Sequence, residues 1–130
     1  MTASKQRAEL VLVDSSGWLE YLSGGEKAER FEPHLTDPLR LLVPSVVVYE
    51  VRKVLLRNGA RNQADLFLSQ AMRGVSVPFD ERLALGAVEN AIEKRLAMAD
   101  AIIYTTARHY SAHLYTGDHH FAGLEGVTVY

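Results

Sequence analysis

Short apolar runs separated by longer segments of helical spacing are the feature that most constrains the fold of this 130-residue chain. Each run is short enough to be a buried strand, and the segments between them repeat apolar residues every three to four positions. The runs occupy residues 10–13, 41–43, 75–77, 113–115 and 127–129. Strands that alternate with helices pair in parallel through crossover connections. We therefore predict an α/β fold, a three-layer α/β/α sandwich with a mainly parallel five-stranded sheet.

Serine, proline and glycine residues mark the predicted helix boundaries. Ser15 and Ser16 are suited to cap a first helix that ends at a pair of glycines. The other helices are predicted at about residues 45–58, 61–72, 80–95 and 101–109. The last helix follows Asp100 and carries few polar residues, so we expect it to be buried.

Length and composition indicate a single domain over residues 1–130, with a polar amino-terminal tail at residues 1–9. The absence of cysteine excludes disulfides, a thiolate zinc site and a cysteine nucleophile. No apolar run is long enough for a signal-peptide core or a membrane span, so a cytoplasmic protein is expected. A net charge of −2 argues against nucleic-acid binding that depends mainly on lysine and arginine coating phosphates.

Four acids, Asp14, Glu50, Asp100 and Asp118, lie where apolar stretches give way to polar or helical segments. Asp14 and Asp118 follow predicted strands, and ligands of open α/β sheets bind at the carboxyl ends of strands. Valines surround Glu50 and apolar residues surround Asp100, and a buried carboxylate requires a cation or hydrogen bonds. Oxygen ligands select Mg²⁺ or Mn²⁺, which can activate water against a phosphodiester. The pattern indicates one acidic metal site.

Each acid also has a purely structural interpretation. Asp14 could cap the first helix, and Asp100 could cap the last one. Glu50 could belong to a solvated helix face, and Asp118 could be a turn residue. The joint placement of the four acids favours the metal site over these separate interpretations.

Other chemistries fit the sequence less well. His109 and His113 are four residues apart, but no glutamate lies between them as in a metalloprotease helix, so zinc is disfavoured. A phosphoryl-accepting receiver domain would show paired acids after the first strand and a late lysine. Here serines follow Asp14, and Lys94 is the last lysine.

Four segments in order carry a resemblance to a known family: residues 12–22, 44–52, 99–107 and 115–121, which contain the four acids. Together they resemble the motifs of PIN-domain nucleases, specifically the VapC-like toxins of type II toxin–antitoxin modules, over nearly the whole chain. There is one departure. His120, preceded by His119, stands where many members have an acid before the phenylalanine, which leaves Asp118 to supply the fourth carboxylate.

The resemblance implies a metal-dependent endoribonuclease in which Mg²⁺ or Mn²⁺ activates water to cleave RNA. It assigns catalytic and metal-binding roles to all four acids, and supporting roles to Ser15 and Thr116, which could orient a carboxylate. Arg52, Lys53 and Arg57 could contact RNA phosphates, although a solvated helix face explains them equally well.

The resemblance also implies protein partners, namely a cognate antitoxin and a second copy of the chain in a homodimer. Trp18, Tyr21 and Leu22 could line a groove for the antitoxin, whereas Leu19 is expected to pack in the core. The alternative function is that of a catalytically inactive PIN-fold protein-binding module.

Overall fold

A computed structural model describes residues 9–130, so the predicted polar tail lies outside the described residues except for Glu9. The elements are, in chain order, β1 (Val11–Val13), α1 (Ser15–Ser23), α2 (Ala28–Leu35), β2 (Leu41–Pro44), α3 (Ser45–Arg57), α4 (Arg61–Ala71), β3 (Val75–Val77), α5 (Glu81–Lys94), α6 (Met98–His109), β4 (His113–Thr116) and β5 (Val127–Val129). A 3₁₀ turn, His119–Phe121, lies between β4 and β5.

The five strands form one sheet in the order β3-β2-β1-β4-β5, and every neighbouring pair is parallel. The central strand β1 places Val11 opposite Leu41 of β2 and opposite His113 of β4. Helices separate β1 from β2, β2 from β3 and β3 from β4. The predicted parallel five-stranded α/β/α architecture is confirmed.

The core lies between the sheet and the helices that flank it. All three residues of β1 are buried, as expected for the middle strand of a parallel sheet covered on both faces. Residues 101–107 of α6 are all buried, which confirms the prediction of a buried last helix. No helix within residues 9–130 is both long enough and apolar enough to cross a membrane.

Helix α2 is absent from the sequence prediction. Pro33 lies inside this eight-residue helix and normally indicates a break, and Phe31 is the one fully buried residue that the helix contributes. Phe31 packs its ring edge-to-face against Tyr130, with 5.2 Å between the ring centroids. The buried ring of Phe31 therefore anchors α2 to the rest of the fold.

Two predicted helix starts differ from the structure. Helix α6 begins at Met98 rather than at residue 101, because the extended residue Ala97 caps it and accepts a hydrogen bond from the Ala101 N–H at 2.9 Å. Asp100 therefore lies within the first turn instead of before the helix. The expected serine cap of α1 is also wrong. Asp14 is the N-cap, and its carboxylate accepts the Gly17 N–H at 2.9 Å.

The sheet has a topological switch point between β1 and β4. From β1 the chain continues to β2 on one side, whereas from β4 it continues to β5 on the other side. In such sheets the connections diverge and leave a crevice at the carboxyl ends of the two strands. Asp14 directly follows β1, and Asp118 lies two residues after β4. The topology alone therefore places two of the predicted acids at the crevice.

Candidate metal centre

The four predicted acids line one cavity of about 240 Å³. They reach it from four places: the end of β1, the middle of α3, the first turn of α6 and the segment after β4. The other lining residues are Ser15, Ser16, Leu19, Val54 and Ile103. The structure thus brings together acids that are up to about a hundred residues apart in sequence.

Asp14 is the most enclosed acid of the site, with 3% of its surface exposed. Its Oδ1 accepts hydrogen bonds from the Ser16 hydroxyl at 2.8 Å and the Gly17 N–H at 2.9 Å. Its Oδ2 accepts the Thr116 hydroxyl at 2.6 Å. Burial raises the pKa of the Asp14 carboxyl above its ordinary value, and the hydrogen bonds partly oppose that rise. Asp14 is therefore both the helix cap and a member of the acidic cluster.

Thr116, the last residue of β4, connects Asp14 to Asp118. Its hydroxyl donates to Asp14 and accepts the Asp118 N–H at 2.9 Å, so one buried oxygen connects both acids. The Ser16 hydroxyl lies 3.4 Å from the same oxygen and accepts the Gly117 N–H at 3.0 Å. These bonds fix the chain after β4 against the start of α1.

Glu50 lies at the border between core and solvent. Its neighbours Val47 and Val51 are buried, but Tyr49 is 62% exposed, so the valine-rich segment is buried on one face only. Ser15 donates its hydroxyl to Glu50 Oε1 at 2.6 Å. This bond crosses from α1 to α3 and holds the carboxylate near the cavity.

Asp100 lies in the first turn of α6 and is half-buried. Burial, followed by the charges of Asp118, Asp14 and Glu50, raises the pKa of the Asp100 carboxyl to about 6, and His120 opposes the rise. The three other acids therefore act on Asp100 at close range. A bound cation would remove this repulsion.

Asp118 belongs both to a turn and to the site. It caps the 3₁₀ turn, and its Oδ1 accepts the His120 N–H at 2.9 Å. The Nδ1 atom of His120 lies 3.1 Å from the same oxygen. Ligand atoms of Asp100, Asp118 and His120 all lie within 4.8 Å of one another.

The basic residues predicted to contact RNA lie on α3 beside the cavity and do not line it. The Arg52 guanidinium donates to the Ala64 carbonyl at 2.9 Å and pairs with Asp65 at 3.3 Å, so it is bound to residues of α4. The Lys53 ammonium lies over the Tyr49 ring, 5.4 Å from the centroid. Lys53 and Arg57 are exposed.

Trp18 and Leu19 of α1 are placed differently from the expectation. Trp18 is 1% exposed and packs edge-to-face on Phe67 at 4.9 Å, so it belongs to the core and not to a groove. Leu19 is only partly buried and lines the acidic cavity, although it was expected in the core. Trp18 is buried and Leu19 lines the cavity because Gly17 and Trp18 form the buried face of α1. One residue further along, Leu19 faces the cavity.

Sequence reasoning missed Ser16 as a support for Asp14, because it considered this serine only as a helix cap. The signal was present in the two consecutive serines after Asp14, one of which bonds Glu50 and the other Asp14. The sequence also did not assign a role to His120.

The donor set fits a hard divalent cation. Carboxylate oxygens predominate and a single imidazole is adjacent. Burial and then the charges of the other acids raise the pKa of Asp100, and a cation would neutralise those charges. The fold and the site therefore define a parallel α/β protein with an acidic crevice at its switch point that could hold a divalent cation.

Comparison with protein families agrees with this class. The family model described as PIN domain matches residues 11–127, and the chain belongs to the PIN domain family. The resemblance to the PIN domain family inferred from the four segments is thus confirmed. A comparison with curated proteins gave no significant match.

Several solved structures share the fold. A toxin–antitoxin complex from Klebsiella pneumoniae aligns with a TM-score of 0.77 at 22% identity, covering 92% of this chain and 96% of that one. VapC20 from Mycobacterium tuberculosis, described as a sarcin-ricin loop cleaving toxin, gives 0.73 at 16% identity, covering 92% and 98%. DNA-bound VapBC from Salmonella typhimurium gives 0.70 at 14% identity, covering 95% and 98%. At these identities the similarity establishes the fold.

Proposed function

We propose that this PIN-domain protein is a metal-dependent endoribonuclease and the toxin of a toxin–antitoxin system. The observation that carries the proposal is the convergence of four carboxylates on one cavity at the switch point of the sheet. Burial and then the charges of the other three acids raise the pKa of Asp100, and a bound cation would relieve the repulsion among these charges. The similarity of the fold to VapC structures supports RNA as the substrate.

In this proposal Asp14, Glu50, Asp100 and Asp118 hold Mg²⁺ or Mn²⁺. The cation would supply an activated water and neutralise negative charge on the leaving oxygen. Asp14 is fixed by its three hydrogen-bond donors and would be the most rigid ligand.

Two hydroxyls support the carboxylates. Ser15 orients Glu50, and Thr116 sets the separation between Asp14 and Asp118. Groups that orient ligands in this way commonly change metal affinity or activity by about 10- to 100-fold when they are removed.

The phosphate contacts remain a proposal based on position. Lys53 and Arg57 are exposed on the helix that carries Glu50 and could reach the backbone of a bound RNA. Arg52 could do so only by leaving the Ala64 carbonyl and Asp65.

The test is RNA cleavage by the purified protein with Mg²⁺, with Mn²⁺ and with EDTA. We expect cleavage that requires the cation and that is lost in Asp100→Asn, because this variant keeps the side-chain shape but lacks the charge. Glu89→Gln, an exposed acid on α5, is the matched control and should cleave like the wild type. Cleavage that persists in EDTA, or in Asp100→Asn, would refute the proposal.

A cognate antitoxin is the proposed protein partner. A second cavity of about 470 Å³ runs from Ser16, Leu19 and Val54 at the acidic site toward Asn58 and Gln63, and a peptide segment could lie there. The structures of toxin–antitoxin complexes with the same fold support this partner. We propose that the toxin acts in the cytoplasm, where its RNA substrate and antitoxin are made.

We also propose a homodimer, which the exposed apolar side chains of Leu85, Val88 and Ile92 on α5 favour. Analytical ultracentrifugation of the wild type and of Ile92→Glu would test it. A binding module without catalysis would show antitoxin binding and assembly but no cation-dependent cleavage.

A further inference from the structure

His120 lies beside two of the acids in a position that the sequence left unexplained. Its side chain is 81% exposed, and its Nδ1 atom lies 3.1 Å from Asp118 Oδ1. Across residues 9–130, Asp100, Asp118 and His120 form the one group of three potential metal-binding residues whose ligand atoms lie this close together. The group combines two carboxylates from different elements with one imidazole.

We propose that a ring nitrogen of His120 is a ligand of the cation held by Asp100 and Asp118. This nitrogen makes the site select Mn²⁺ and later first-row metals over Mg²⁺. The inference rests on the proposed metal site and adds its chemical selectivity.

The spacing of the ligand atoms fits one cation. Adjacent ligands around an octahedral ion with bonds of ~2.1 Å are separated by about 3 Å. The distance from His120 Nδ1 to Asp118 Oδ1, 3.1 Å, has this value. All three residues offer an atom within 4.8 Å of the others, so Asp100 completes a compact set.

The charges also favour a cation over a simple ion pair. Asp118 raises the pKa of Asp100, and the single imidazole of His120 opposes this rise without cancelling it. A divalent ion between them compensates both.

The selectivity follows from the ligand type. Mg²⁺ prefers oxygen ligands and retains its water, whereas imidazole nitrogen is a good ligand for the transition metals. Affinity for nitrogen increases from Mn²⁺ toward Cu²⁺ along the first-row series. Exchanging an oxygen ligand for His120 should therefore favour Mn²⁺ and later ions.

The experiment uses the purified full chain with Mn²⁺ or Mg²⁺ alone as the probe. Pulsed electron paramagnetic resonance of bound Mn²⁺ detects a coordinated nitrogen through its hyperfine coupling, and calorimetry gives the affinity for each ion. The variants are His120→Asn, which removes the ring, and His120→Asp, which makes the set all oxygen. His119→Asn is the matched control, because His119 is an exposed neighbour outside the group.

We expect nitrogen coupling in the wild type and in His119→Asn, and none in His120→Asn. Loss of the ring should weaken Mn²⁺ binding by about tenfold or more and Mg²⁺ binding much less. His120→Asp should bind both ions but with a lower preference for Mn²⁺.

Mn²⁺ that binds without nitrogen coupling, or with equal affinity in His120→Asn, would overturn this inference. In that case cation-dependent RNA cleavage that is lost in Asp100→Asn would still uphold the proposed function. A wild type that binds neither ion would overturn both.

Discussion

Replacing Asp100 by asparagine should stabilise the protein when no metal is present. The pKa of the Asp100 carboxyl is raised to about 6 because the group is partly buried and lies near Asp118, Asp14 and Glu50. A raised folded-state pKa means that the folded protein binds the proton more tightly than the unfolded chain does. The free energy of unfolding therefore falls as pH rises from near 3.8 to about 6, and it stays lowered above that pH. Asp100→Asn removes this loss.

The expected gain follows from the size of the pKa rise. A carboxyl whose pKa moves from 3.8 to about 6 would lose about 3 kcal/mol of folding stability once it is ionised. Asp100 is only partly buried, and solvent screens part of the repulsion, so we expect about 1 to 2 kcal/mol. For a domain of this size that gain corresponds to roughly 3 to 8 °C in Tm.

The assay is thermal unfolding in EDTA at pH 4 and pH 7, with Glu89→Gln as the control acid on the surface. Asp100→Asn should melt above the wild type at pH 7 and close to it at pH 4, whereas the control should match the wild type at both. A gain that is equal at the two pH values would show that the benefit is not electrostatic. A lower Tm at pH 7 would show that the Asp100 carboxylate stabilises the fold.

Two further substitutions separate structural from catalytic roles. Asp14→Ala should lower the Tm of the metal-free protein although it also removes an acid. The substitution deletes the α1 cap and leaves the Thr116 hydroxyl without its acceptor, at a cost of about 1 to 3 kcal/mol. Thermal unfolding in EDTA measures this change, and an increase in Tm would contradict the prediction. Ser15→Ala should reduce RNA cleavage by about tenfold with little change in Tm, because Glu50 loses the hydrogen bond from Ser15. Ser15→Thr keeps a hydroxyl and should restore activity. Rates of RNA cleavage measure both variants, and unchanged activity in Ser15→Ala would show that the bond from Ser15 to Glu50 is dispensable.

The sheet and most helices could be predicted from the sequence because their signals are local. Apolar runs indicated all five strands, and the parallel direction of β1 to β4 follows from their alternation with helices. Helix α2 could not be predicted, because Pro33 indicates a helix break and because Phe31 packs against Tyr130, which is distant in sequence.

The acids of the site were recognisable by their positions, but their supporting contacts were not. The bond from Thr116 to Asp14 joins residues 102 positions apart, and the bond from Ser15 to Glu50 joins residues 35 apart. The choice of Asp14 over the serines as the α1 cap depends on backbone conformation, since Asp14 is extended and Ser15 is already helical. Sequence patterns do not contain such contacts.

Asp14 and Asp100 carry the same charge when ionised, but their surroundings in the fold differ. Burial raises the pKa of Asp14, but three hydrogen bonds and the amino-terminal end of α1 partly oppose that rise. The pKa of Asp100 is raised by burial and by three neighbouring acids, with only His120 in opposition. The repulsion within the cluster is therefore concentrated on the acid that has the fewest contacts holding it. A cation that binds there relieves this repulsion and stabilises the folded state by mass action. Mn²⁺ should consequently raise the Tm of the wild type far more than that of Asp100→Asn, because the variant lacks the repulsion that acts on Asp100 and has one charge fewer to bind the ion.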